Sequence, residues 1–462
     1  MKNTKRAVCF VLAFALLLSG LALLGGCDGD PRGILKPKVA TVYPFVFVHG
    51  LNGIGDEKIP IDGASYWGST SGTMLLPLLK TAGYECYAPS VDPVGSAWDR
   101  ACELYAQLMG GRVDYGAAHA EKYGHERFGV TYDVPLFPGW GTTDDDGNLR
   151  KVNLIGHSFG GATIRMLAAL LQNGDDAERE AAPEDCSPLF AGKKEKWIFS
   201  LTCLAAPHNG VSILAMAREM ADSVAGRLAV AALESMKDAA DLTKVVNLLN
   251  SFGIKNIGGF DISNLGDALN GLSTGITGKT VADTIHLMGT PDNAYYDLSI
   301  EGAAALNTKT QTCKGTYYFS YPVDGTRVEA GKCEPTDDMI SIIQIPARII
   351  GGYTGSAGGV TIDESWLPND GLVNTISATA PFGQSSEDVL LDAVATSAAT
   401  GVGPVNSAFA WAKAKENKWY VMPTTRGDHG TLIGMGKDEA YLRAFYLPLL
   451  EGLNTLSREV TG

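Results

Sequence analysis

The stretch Lys151-Val152-Asn153-Leu154-Ile155-Gly156-His157-Ser158-Phe159-Gly160-Gly161-Ala162-Thr163-Ile164-Arg165-Met166-Leu167 decides how this chain reads. Val152 to Ile155 is a short apolar run stopped by Gly156, the pattern of a buried parallel strand. From Ala162 to Gln172 the apolar residues recur at helical spacing. Between the two lies G-x-S-x-G with Ser158 at its centre. The motif alone is weak in a chain with 55 glycines. A strand running into it and a helix behind it supply the context of a sharp turn that presents a nucleophilic hydroxyl. Glycines two residues to either side let the backbone reverse without side-chain collision. The Ser158 hydroxyl is therefore expected at the helix N-terminus, as a nucleophile.

Outward from this turn the pattern alternates. Val42 to Val48 is another buried-strand run, stopped by His49-Gly50, and further candidate strands are Trp197 to Leu204, Thr316 to Tyr321, Ala347 to Ile350 and Trp419 to Pro423. Helical patterns such as Trp98 to Met109 lie between them. Alternation of this kind predicts an α/β fold with a mostly parallel, doubly wound sheet and helices on both faces. From Val211 to Thr290 only helical spacing is evident, in Ile213, Leu214, Met216, Met220, Leu228, Val230, Leu233 and Met236, so residues 211–290 read as a helical insertion. No internal repeat is visible. The 462 residues are 45% hydrophobic and 19% charged, which excludes a disordered or collagen-like chain and is compatible with one domain over residues 36–458. A net charge of -14 without a basic stripe excludes nucleic acid as a natural partner.

A serine hydroxyl needs a base, and the chain has 7 histidines: His49, His119, His125, His157, His208, His286 and His429. Around a nucleophile elbow of this type the chain order is Ser, acid, His. That leaves three. His208 follows its strand too soon for an acid-bearing strand to precede it, and His286 lies in the insertion. His429, in the loop Thr424-Thr425-Arg426-Gly427-Asp428-His429-Gly430 between a strand and the final helix, is the expected base. Its acid is expected at the turn Pro368-Asn369-Asp370-Gly371, where Asp370 would fix the His429 tautomer. Asp428 is the alternative, but adjacent side chains seldom meet at the required ring nitrogen. His49-Gly50-Leu51 after the first strand is placed like an oxyanion loop, so the backbone N–H groups of Leu51 and Phe159 are the expected oxyanion donors. His49 itself reads as a packing residue that shapes this loop.

The N-terminus has Lys2, Lys5 and Arg6 before an apolar run from Ala7 to Leu18, then Leu24-Gly25-Gly26-Cys27. This predicts a signal peptide over residues 1–27. Leu-x-Gly-Cys resembles the lipobox of bacterial lipoproteins, which implies acylation of Cys27, a secreted protein and anchorage to the cell envelope. Ordinary cleavage nearby, or an uncleaved anchor, is the alternative. Of the remaining cysteines, Cys313 and Cys333 flank two β-like stretches, so a hairpin could bring them into register as a disulfide outside the cell.

Asp99, His119 and His125 offer a carboxylate and two imidazoles, donors that suit zinc, although surface histidines have the same look. The stretch from Trp98 through Phe128, with Asp114-Tyr115-Gly116-Ala117-Ala118-His119 and Gly124-His125-Glu126-Arg127-Phe128-Gly129, resembles the secreted lipases of thermophilic bacilli and staphylococci. Collinear likenesses are Tyr66-Trp67-Gly68, the Ser158 turn, Ala206-Pro207-His208-Asn209-Gly210, Tyr296-Asp297-Leu298-Ser299, the Asp370 turn and Arg443-Ala444-Phe445-Tyr446-Leu447. The resemblance implies an α/β-hydrolase fold, a helical lid, a triad at Ser158, Asp370 and His429, and oxyanion donors at Leu51 and Phe159. It also implies a structural zinc on Asp99, His119, His125 and Asp292, tying the insertion to the core. The family's second oxyanion position is usually Gln and is Phe159 here, which keeps the backbone donor. Its calcium carboxylates fall at Thr431 and Gly436, which argues against calcium binding there.

The expected function is thus a triacylglycerol lipase, secreted or lipid-anchored, working on ester substrates at a lipid interface. An esterase or acyltransferase for shorter or non-glyceride esters, and a non-catalytic lipid-binding surface protein, are the alternatives.

Overall fold

Seven strands form the central sheet: β1 (Phe45–Val48), β2 (Cys86–Tyr87), β3 (Val152–His157), β4 (Ile198–Leu204), β5 (Tyr317–Tyr321), the exposed edge strand β6 (Ser386–Asp388) and β7 (Trp419–Val421). The computed structural model describes residues 42–56, 65–68, 74–221, 256–257, 260–261, 290–390 and 403–461. The strands form one sheet in the order β6-β7-β5-β4-β3-β1-β2, every neighbouring pair parallel. Alternate side chains feed two cores. Val46, Val48, Val152, Leu154, Leu201 and Trp419 pack on one face, and Phe45, Phe47, Ile155, Leu204, Phe319 and Tyr420 on the other. Burial on both faces is why these strands read as continuous apolar runs rather than alternating ones.

Two helices cover the first face, α1 (Ala97–Met109) and α2 (Gly160–Asn173). On α2, Ile164, Leu167, Leu170 and Leu171 are buried, each contributing roughly 1.5–3 kcal/mol relative to exposure. A later helix, α3 (Ser341–Ile350), stands beside the loop after β5, and α4 (Glu439–Thr461) lays Leu442, Phe445, Tyr446, Leu449 and Leu453 on the second face. Register then levels the strand ends. Val48 faces Gly156, Gly156 faces Cys203, Cys203 faces Ser320, and Ser320 faces Val421. The loops beyond this row, including those with His49, Ser158 and His429, therefore emerge along one rim, where open parallel sheets place their ligands.

Three sequence expectations are corrected. Ala347 to Ile350 is not a strand but the end of α3. Its buried Ile343, Ala347 and Ile350 recur at i, i+4 and i+7, so helical packing overrides the β preference of a run rich in isoleucine. Cys313 and Cys333 are free and buried, as are Cys86, Cys102 and Cys203. Tyr317–Tyr321 enters the central sheet as β5, and the hairpin forms one segment later, between Thr326–Glu329 and Lys332–Pro335, which sets Cys333 opposite Val328. Finally, the segment expected to be purely helical opens with the helix Ser212–Ala221 but also holds a short antiparallel pair, Asn256–Ile257 with Phe260–Asp261. The rest of 222–289, the leader and Cys27 lie outside the described residues.

Candidate active site and metal cluster

Ser158 follows β3 with φ 54°, a left-handed conformation that is costly for a residue with a side chain. Three glycines make room for it. A Cβ on Gly160 would lie 2.2 Å from the Val48 carbonyl oxygen, one on Gly156 would lie 2.6 Å from the Gly160 backbone, and one on Gly50 would lie 2.7 Å from Ser158 Cβ. The Ser158 N–H donates to the Leu204 carbonyl at 2.9 Å, which anchors the turn to β4.

His429 and Asp370 meet as the sequence reading expects. Nδ1 of His429 lies 2.7 Å from Asp370 Oδ2, and the His429 N–H donates to the Asp370 carbonyl at 2.8 Å. The other carboxylate oxygen, Oδ1, accepts from the N–H groups of Leu372 at 3.0 Å and Val373 at 2.8 Å, so the acid is held in its own turn. That turn leans on α3: Asn369 Nδ2 donates to the Ala347 carbonyl at 3.1 Å, and Gly371 (φ 103°) packs against Ile343. Asp428 does not touch the His429 ring. Its carboxylate accepts from Ile340 N–H at 3.0 Å, Gly430 N–H at 3.1 Å and Thr431 Oγ1 at 3.1 Å.

A buried relay joins Ser158's neighbours to His429. His157 Nε2 donates to the His429 carbonyl at 2.9 Å, so its Nδ1 is the acceptor for the Tyr66 hydroxyl at 2.6 Å. The Tyr66 oxygen in turn accepts from the Gly50 N–H at 2.9 Å. Burial, then the neighbouring His429, pushes His157 well below the usual imidazole range and keeps it neutral. The His157 and His429 rings lie 4.8 Å apart, centre to centre. His49 packs as expected: Nε2 accepts from Val91 N–H at 3.1 Å, and Nδ1 donates to the Gly50 carbonyl at 2.9 Å. The N–H groups of Leu51 and Phe159 make no backbone hydrogen bond among the described residues. Tyr66 and His157 were not singled out for a role by the sequence; their pairing spans 91 positions and leaves no local signal.

The second constellation converges as well. One ligand atom each from Asp99, His119, His125 and Asp292 lies within 4.8 Å of the others. His119 Nε2 is 3.3 Å from Asp99 Oδ1 and 2.9 Å from Asp292 Oδ1, and His125 Nε2 is 3.3 Å from Asp292 Oδ2. Yet Asp99 Oδ1, His119 Nε2, His125 Nε2 and Asp292 Oδ1 are buried without a hydrogen-bond partner. Four orphaned donor atoms around one point fit a cation far better than they fit one another. His125 Nδ1 bonds the Glu126 carbonyl at 2.9 Å and Trp98 stacks on the His119 ring at 4.9 Å, which fixes both imidazoles. Asp292 takes φ 77°, strain of the kind that gathers at ligands.

The parallel sheet, the Ser158 turn after its third strand and the histidine loop after its last define an α/β-hydrolase. Residues 41–443 match the family described as "Lipase-like, C-terminal domain", and the chain belongs to it. It is 36% identical to Lipase 1 of Staphylococcus aureus over 346 residues, 74% of this chain and 46% of that protein. With Lipase 2 of the same organism the figures are 32% over 435 residues, 89% and 54%. The chain thus spans about half the length of these relatives. Among solved structures it resembles Staphylococcus hyicus lipase, with TM-score 0.63 and 30% identity over 93% of this chain and 98% of that one. EstA from Clostridium botulinum gives TM-score 0.65 and 30% identity over 94% and 92%.

Proposed function

We propose that the chain is a carboxylic-ester hydrolase of lipase type, cleaving triacylglycerol through an acyl-enzyme on Ser158. The observation that carries this reading is the His429–Asp370 pair at 2.7 Å beside the strained Ser158 turn. Ser158 Oγ attacks the acyl carbonyl as His429 Nε2 takes its proton. Asp370 holds Nδ1–H and stabilises the imidazolium. The new oxyanion is received by the N–H groups of Leu51 and Phe159. His429 then protonates the leaving alcohol, and a water activated by the same ring releases the acid.

Zinc is the ion we assign to Asp99, His119, His125 and Asp292, because two imidazoles and two carboxylates suit a closed four-ligand structural site. It would neutralise the facing carboxylates and take no part in the steps above. The leader and Leu24-Gly25-Gly26-Cys27 support export and anchorage by an acylated Cys27.

The test is hydrolysis of a long-chain triacylglycerol emulsion and of a soluble short-chain ester by the chain without its leader, beside Ser158→Ala, with metal content measured on the same samples. Activity on the emulsion that Ser158→Ala abolishes, with about one zinc per chain, supports the lipase. Activity on the soluble ester alone makes it an esterase, and silence on both overturns the enzymatic reading.

A further inference from the structure

Arg100 lies on α1, next to Asp99 in sequence, and its side chain is 0% exposed. Among the described residues its hydrogen bonds all go to uncharged oxygens. Nη2 donates to the His49 carbonyl, Nη1 to the Asp92 carbonyl at 3.0 Å and the Gly50 carbonyl at 3.3 Å, and Nε to Thr163 Oγ1 at 2.9 Å. A buried guanidinium held this way is costly, and what it holds is the loop beside Ser158.

We propose that Arg100 is a positioning residue for the oxyanion site: it fixes the peptide that carries one oxyanion donor and, through that peptide bond, strengthens the donor. The inference rests on the reading of Leu51 and Phe159 as oxyanion donors. The Gly50 carbonyl and the Leu51 N–H belong to one trans peptide and point in opposite directions. Gly50 O accepts from Arg100 Nη1 at 3.3 Å, His49 Nδ1 at 2.9 Å and Gly53 N–H at 3.3 Å, so the carbonyl is turned inward. Its partner N–H is turned away from the guanidinium, free for a developing negative charge. A cation bonded to an amide oxygen draws electron density from the nitrogen, which makes the N–H a better donor. The same guanidinium also packs against the residue that carries the second donor. Thr163 Oγ1 accepts from Arg100 Nε and lies 3.4 Å from the Phe159 carbonyl, and the Arg100 guanidinium sits 5.0 Å from the centre of the Phe159 ring. One charge therefore holds the Leu51 peptide by a direct bond and packs against the Phe159 side chain, without touching substrate.

The experiment compares the full chain with Arg100→Met and Arg100→Lys. It measures kcat and KM on a soluble short-chain ester, inhibition by a trifluoromethyl ketone of the same acyl length, and Tm. The ketone adds the serine and carries the oxyanion, so its affinity reads the oxyanion site directly. Arg100→Met is expected to lower kcat about 100-fold, within the range for losing an oxyanion donor. KM should move little, and ketone affinity should weaken by the same factor as kcat. Arg100→Lys, which keeps the charge and gives up the fork, should fall between. Ketone affinity unchanged in either folded variant overturns the proposal, as does equal loss in Lys and Met. Should Arg100→Met fail to fold, Arg100→Lys decides alone: a lowered kcat matched by weaker ketone binding supports the role, and a lowered kcat without it assigns Arg100 to the scaffold. Hydrolysis by the unaltered chain that survives Ser158→Ala is a different failure, that of the ester-hydrolase reading, and it is visible before any Arg100 variant is assayed.

Discussion

Removing the Tyr66 hydroxyl tests the relay between the Gly50 loop and the His429 loop. In Tyr66→Phe two partners lose their bond at once, the Gly50 N–H at 2.9 Å and His157 Nδ1 at 2.6 Å. Neither has a ready substitute. The His157 tautomer is pinned by its bond to the His429 carbonyl, so Nδ1 cannot become a donor, and burial holds the Tyr66 phenol protonated in the native protein. An unsatisfied buried group costs about 1–3 kcal/mol, so the substitution should destabilise the fold by roughly 2–6 kcal/mol, less whatever a water admitted to the site restores. Urea unfolding gives this directly. The catalytic consequence is separate. The loop that carries Leu51 loses a fixed point, so kcat should fall by about tenfold or more while KM changes little. A folded Tyr66→Phe chain with kcat within twofold and an unchanged urea midpoint would refute the reasoning, because the hydroxyl would then be holding nothing that catalysis or stability needs.

Asp370→Asn keeps the turn but removes the charge opposite His429 Nδ1, so kcat should drop on the order of 10³–10⁴-fold with KM nearly constant; a loss below tenfold would move the acid elsewhere. A strong chelator should lower Tm, and Asp292→Ala should lower it similarly and abolish the chelator's effect; equal melting curves with and without chelator on metal-loaded protein would count against a structural ion. Stability should also fall with acid. Burial, then Arg100 beside His49, His429 beside His157 and Arg165 beside His208, lowers all three imidazoles, His49 to about 3. The folded values lie below the unfolded value near 6.5, so this stability is complete above that pH and is lost as pH falls towards the folded values. The loss is at most roughly 1.4 kcal/mol per pH unit for each ring; a Tm that stays level from pH 7 to pH 5 would contradict it.

What the sequence disclosed is what local patterning controls. Ser158 was legible because strand, turn and helix are contiguous, and His429 because few histidines compete and chain order eliminates most of them. Asp370 followed from a turn with a glycine behind it, and the structure sets it, not Asp428, against the ring. Spacing suggested Asp99, His119 and His125, but Asp292 lies far along the chain and only the family likeness pointed to it. Arg100 and Tyr66 act through contacts 50 and 16 positions away, with the Gly50 carbonyl and N–H respectively, and nothing nearby in sequence marks them. Ala347 to Ile350 misled because isoleucine favours strands, whereas the face it buries recurs at helical intervals.

The three glycines around Ser158 have a practical consequence for anyone who wishes to retune this protein. At Gly50, Gly156 and Gly160 even one added carbon collides with neighbouring atoms, with backbone at the last two. A larger side chain drawn at any of them would have to displace those neighbours. Variation is more freely written elsewhere, in the loops beyond the strand ends, where a library would leave the packing of this turn intact.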